Sequence, residues 1–131
     1  NRVTGAYSFQ MLKLRRGGDL FDVRHKGPIG RLPWTRTNAL NSYAIRMMLE
    51  YSNKECPKYF IRGHNHKKGT SGEGNYPVEV ISIPCWQYTP EYGFAGLYDW
   101  PDIGGTWFIC EDGKATWQYE LYPILEDPIY E

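Results

Sequence analysis

The residues best suited to chemistry gather in one stretch, Ile61-Arg62-Gly63-His64-Asn65-His66-Lys67-Lys68. Two of the chain's three histidines stand one residue apart there, and the third, His25, lies upstream in Leu20-Phe21-Asp22-Val23-Arg24-His25. A neutral imidazole is a common metal ligand and needs no compensating charge. Residues i and i+2 share a face in a strand, and in a loop leaving a strand they can converge on one centre. His25 and His64 have the same setting: a short apolar run, then histidine beside a glycine turn. Strand ends that carry side chains into loops are where α/β sheets place their sites. His25, His64 and His66 are therefore candidate metal ligands. Imidazole softness favours Zn²⁺ or Ni²⁺ over Mg²⁺. Gly63 is expected to form a tight turn. The bland alternative is a set of hydrogen-bonded surface imidazoles, and a bare H-x-H does not decide between them. The tripeptide H-N-H is not an HNH nuclease, whose named residues are spread over a ββα unit.

These loops need elements to position them. Residues 6–14 alternate as a strand, Gly17-Gly18 marks a turn, and a short strand follows near 20–24. Ala39, Leu40, Tyr43, Ala44, Met47, Met48 and Tyr51 recur at three- and four-residue spacing, one face of a helix. Thr37 or Asn38 is expected to cap it, and Pro33 and Pro57 bound it. Lys58–His64 reads as a short apolar strand, 69–77 as a Gly-rich loop and 78–86 as a β-branched strand. The segment 105–125 reads as a hairpin around Asp112-Gly113. Strand, strand, helix, strand, strand and hairpin make an α/β chain with a helix covering a sheet.

Composition narrows the function classes. The 131 residues make one domain or part of one. Fifteen basic and fifteen acidic residues cancel, which argues against bulk nucleic-acid affinity but leaves room for a local basic site. Three widely spaced cysteines without CxxC point to free thiols in a reducing compartment. No apolar run is long enough to span a membrane, so a cytoplasmic, intracellular protein without membrane contact is expected. Arg24, Lys26, Arg31, Arg36, Arg62, Lys67 and Lys68 flank the histidines. Singly each reads as a solvated rim; as a set they suit a phosphate. Arg36, at the helix start, and Arg24 are the candidate phosphate contacts. Trp86 and Tyr88 follow the strand after the histidines, and Trp86 is a candidate to stack on a base, though packing is the commoner role.

Gly-His-Asn-His after an apolar strand resembles the terminal GHxH motif of the calcineurin-like metallophosphoesterases. Asp22-Val23-Arg24-His25-Lys26-Gly27-Pro28 resembles the block before it. The resemblance runs from about 17 to about 125, and the chain looks like a branch of the family found in phage and bacterial genomes, which would place the protein in a host cell. It implies the C-terminal half of a four-layer α/β/β/α sandwich. It also implies two divalent metals (Mn, Fe, Zn or Ni) that activate a water for attack on a phosphate ester, nucleic acid included. His25 and His64 would then share one metal, and His66 would bind the other. The family's upstream DxH and GNH blocks are missing. Gly18-Asp19-Leu20-Phe21-Asp22 has the letters of a third block, GDxxD, but not its context. Asp19 is expected in a turn, and Asp22 at a strand end orienting His25. No catalytic residue is assigned. The chain is expected to be a metal-dependent phosphoesterase's C-terminal half, inactive alone, partnered by a missing N-terminal half or by copies of itself. The alternative is a non-catalytic binding or assembly module that keeps a histidine metal site.

Overall fold

A computed structural model describes residues 11–30, 32–86 and 100–123. Strands β1 (Met11–Arg16) and β2 (Asp19–Arg24) form a hairpin, closed by Gly17 and Gly18, both with positive φ. A 3₁₀ turn over Pro33–Thr35 leads into α1 (Arg36–Glu50), followed by β3 (Tyr59–Arg62), β4 (Gly69–Thr70), β5 (Glu79–Ser82), β6 (Ile103–Glu111) and β7 (Lys114–Tyr122). The first five strands form one sheet in the order β1-β2-β3-β5-β4, with β2, β3 and β5 parallel. The β6–β7 hairpin turns at Asp112-Gly113, where both residues have positive φ.

Period-two alternation builds two cores on the two faces of this sheet. Phe60 and Val80 face α1 and pack with Leu40, Tyr43, Ala44, Met47 and Tyr51. Tyr59, Ile61 and Ile81 face the other way and pack with Phe21 and Ala115 under the β6–β7 hairpin. Burial of each large apolar side chain contributes about 1.5–3 kcal/mol, so both layers are held on the sheet by their interiors. The protein is thus mixed α/β, and its described residues form three layers: helix, five-stranded sheet, hairpin. The helix face matches the spacing pattern. The expected cap does not: Thr37 and Asn38 lie inside α1, and the N-cap, Thr35, makes no side-chain capping bond. The Gly-rich loop also contains the short strand β4, which its composition hides. Residues 6–10 of the expected first strand lie outside the described residues.

Candidate metal centre

Parallel pairing of β2 and β3 sets Val23 opposite Ile61 and Arg24 opposite Arg62. The chain therefore leaves both strands at the same edge, carrying His25 from one and His64 from the other. Gly63 N–H donates to the Arg24 carbonyl at 3.2 Å, which extends the pairing into the loops. The result is a close pair: His64 Nδ1 lies 3.0 Å from His25 Nε2, with ring centroids 4.8 Å apart. Two nitrogens of neutral imidazoles can face each other at this distance only when one carries the proton and the other accepts it. Desolvation, and then the charges of His25, Lys26 and His66, hold the His64 imidazole below its ordinary value, so it is mostly neutral at pH 7.

The separation of the two nitrogens can be compared with that of a shared metal ion. At Zn–N distances of 2.0–2.1 Å, nitrogens across a tetrahedral angle stand roughly 3.3 Å apart, close to what these loops already hold. His25 Nε2 and His64 Nδ1 would be the ligand atoms, each giving up any proton between them. Among the described residues no three His, Cys, Asp or Glu side chains form a metal-holding group, so the third histidine stands outside the pair. His66 is half-buried, has φ 57°, and its carbonyl accepts a 2.8 Å bond from Asp102 N–H.

The tight turn is not at Gly63. Positive φ falls on His64 (73°) and His66 (57°). Gly63 is needed for approach: a Cβ there would sit 3.2 Å from the His25 carbonyl oxygen. Gly63→Val should push the His25 loop away and weaken metal binding by about tenfold, with a modest loss of melting temperature, as calorimetric titration and thermal melts would show. Unchanged binding would mean that the approach is not needed.

Asp22 does not orient His25. It is fully buried and accepts from Arg24 Nε (2.8 Å) and Nη2 (2.7 Å), from Tyr51 Oη (3.1 Å) and, as an ion pair, from Arg62 Nη1 (2.9 Å). Asp19 opens β2 instead of sitting in the turn and accepts from Ala115 N–H at 3.1 Å. The basic rim is also different from its sequence reading. Arg62 is wholly buried, its Nε donating to Tyr43 Oη at 3.1 Å. Lys67 is 3% exposed, near Asp102. Arg24 has two donors committed to Asp22, yet with Met11, His25 and Lys26 it lines an open cavity of about 410 Å³ beside the histidine pair. Arg36 opens α1, half-buried. Trp86 is 69% exposed, packs on Tyr122 at 5.2 Å, and lines a separate cleft of about 340 Å³ on the hairpin side. Arg31 and Tyr88 lie outside the described residues.

Three positions shape the site in ways the sequence reading does not give. Asp22 and Arg62 tie together the strand ends that carry the histidines. Asn65 bridges the two loops, donating from Nδ2 to the Gly27 carbonyl at 2.8 Å. A signal for the first two was present: opposite charges inside two short apolar strands are rarely buried unless paired.

No protein-family profile and no curated protein matches the chain. In fold it is similar to the solution structure of the Thermotoga maritima protein TM1076, at 12% identity and a TM-score of 0.46, over 92% of this chain and 64% of that one. It is also similar to crystal structures of Vps29 from Entamoeba histolytica. A single mutant matches at 17% identity and a TM-score of 0.49, over 91% of this chain and 67% of that one. The wild type complexed with Zn²⁺ matches at 17% and 0.48, over 86% and 60%. The chain spans 60–67% of the length of these proteins. Among the described residues no helix is long and apolar enough to cross a membrane.

Proposed function

We propose that the chain carries the imidazole side of a divalent-metal site for phosphate esters, and that hydrolysis requires carboxylate ligands supplied from outside its described residues. The observation that carries this reading is the 3.0 Å approach of His25 Nε2 and His64 Nδ1 at the ends of two parallel strands. A bound divalent ion would supply Lewis acidity and a water of lowered pKa. The chain's own contribution is two ring nitrogens held close together, with Arg24 and Lys26 beside an open cavity for an anionic ester. Zn²⁺ suits the donor set best.

One observation favours the alternative of a binding or assembly module with a histidine metal site. Asp19 and Asp22, the carboxylates nearest His25 in sequence, are engaged by Ala115, Lys58, Arg24 and Arg62. In both readings the metal binds through His25 and His64, and they part on turnover.

The test is Zn²⁺ and Mn²⁺ titration of the 131-residue chain. His64→Ala and His25→Ala should each weaken Zn²⁺ binding about 100-fold, because a two-nitrogen site falls to one. Wild-type affinity in both variants would sink the metal reading. Metal-dependent hydrolysis of bis-p-nitrophenyl phosphate by the chain alone would remove the module reading.

A further inference from the structure

We infer that Asn65 is a positioning residue that sets the separation of the two metal-binding imidazoles; this rests on the metal reading above. The histidines belong to different loops, 25–30 and 63–68, and β2–β3 pairing controls only where those loops begin. Gly63 N–H to the Arg24 carbonyl closes the ladder before either histidine. Beyond that point the imidazoles themselves and Asn65 Nδ2 to the Gly27 carbonyl at 2.8 Å link the two loops. Asn65 thus acts from between His64 and His66 onto the residue two past His25.

Geometry explains why an amide serves here. The backbone around Asn65 is left-handed on both sides, with φ 73° at His64 and 57° at His66. Such residues hold this conformation only when their surroundings determine it. The far side of the loop is fixed separately. Asp102 N–H donates to the His66 carbonyl at 2.8 Å, and Lys68 N–H donates to Asp102 Oδ2 at 2.7 Å. Asp102 anchors the loop to the segment before β6, while Asn65 anchors it to the His25 loop. Among the described residues, the Asn65 bond is the hydrogen bond from the histidine loop that reaches the His25 loop beyond the strand ladder, and so bears on the distance between ring nitrogens. The opposite loop is backed by the sheet, since a Cβ at Gly27 would overlap the Cβ and Cγ of buried Arg62. Asn65 therefore pulls against a fixed wall. A carboxylate here would face the Gly27 carbonyl as a second acceptor, so the amide's donor is the required chemistry.

The prediction is a loss of pre-organisation with little loss of fold. Asn65→Ala and Asn65→Leu, the second keeping volume without a donor, should each weaken Co²⁺ and Zn²⁺ binding 10–100-fold, as partners that orient metal ligands typically do. The visible spectrum of bound Co²⁺ should broaden and shift. Without metal, ¹H–¹⁵N correlation of the imidazoles should show one shared proton between His25 and His64 in the wild type and lose it in both variants. His64→Ala runs alongside. If His64→Ala binds metal as the wild type does, the metal reading fails, and the metal-free imidazole spectra still test Asn65. If His64→Ala loses the metal while both Asn65 variants keep wild-type affinity and imidazole spectra, the positioning role is overturned. Thermal melts within a few degrees of wild type separate positioning from unfolding.

Discussion

Asp22→Ala is expected to cost about 3–5 kcal/mol, because it strands a buried cation. Whole domains carry only about 5–15 kcal/mol of stability, so this variant should be marginal or unfolded at room temperature. The carboxylate is fully buried and faces two guanidinium groups, one of them, Arg62, also fully buried. Tyr43 and Phe60 stack near the Arg62 guanidinium at 5.1 and 5.3 Å, and its Nη1 also donates to the Asp22 carbonyl at 2.7 Å. None of these replaces the lost charge. Asp22→Leu combined with Arg62→Met should recover much of the loss, since an apolar pair of similar volume avoids the desolvation of both ions. Urea unfolding measures both. A loss under about 1 kcal/mol for Asp22→Ala would mean that Arg62 finds water or another acceptor.

The same carboxylate predicts an acid limb. Burial pushes Asp22 up, but the Arg24 hydrogen bond, the Arg62 and Arg24 charges and the Tyr51 hydrogen bond outweigh it and hold it below the usual range. A depressed folded value means stability that is fully present above the unfolded value of about 3.9 and lost as pH falls through the folded one. Asp22→Asn should flatten that limb in stability measured from pH 5 downward. The network sits one residue before His25 and two before His64, so its loss should loosen the metal pair as well.

Much of this arrangement was legible in the sequence, because it follows from local patterns. Gly17-Gly18 and Asp112-Gly113 announce their turns by the positive φ they adopt. The stripe from Leu40 to Tyr51 announces α1 by its period. His25 and His64 each follow a short apolar strand, which marks both as strand-end residues; their pairing with one another is implied by the family resemblance, and the parallel ladder of β2 and β3 supplies its geometry. What was hidden depends on partners remote in sequence. Arg62 reads as the polar end of a strand, and only the arrival of Asp22 from β2 makes its burial tolerable. Lys67 reads as a solvated rim, yet it is buried, with its Nζ 3.9 Å from Asp102 Oδ1 on a segment remote in sequence. Asn65 occupies the variable place of its motif, so no pattern assigned it a role. Gly63 reads as a turn glycine, since a sequence shows that a side chain is absent but not which neighbour needs the space.

Gly104→Ala is expected to damage fold and site together. Gly104 has φ 153°, and a Cβ there would overlap the Glu120 carbonyl oxygen and stand 3.0 Å from Leu121 Cα, both backbone atoms of β7. Backbone cannot swing aside as a flexible side chain can, so β6 must shift or the hairpin must open at this end. Strain of this kind costs of order 1–3 kcal/mol, and displaced packing adds a similar amount. The damage should reach the histidine loop through a short relay. Gly104 N–H donates to the Cys85 carbonyl at 2.8 Å, Cys85 N–H to the Asp102 carbonyl at 3.0 Å, and Asp102 N–H to the His66 carbonyl at 2.8 Å. A shift at Gly104 therefore moves the anchor of the loop that carries His64. Gly105→Ala is the matched control, because among the described residues a Cβ there meets Trp86 alone, at an ordinary 3.7 Å. Thermal melts and Zn²⁺ titrations on the two variants should separate sharply: a fall of several degrees and about tenfold weaker binding for Gly104→Ala, and near wild-type values for Gly105→Ala. Equal behaviour of the pair would show that β7 yields at this point, and that the Asp102 segment holds the loop without help from the start of β6.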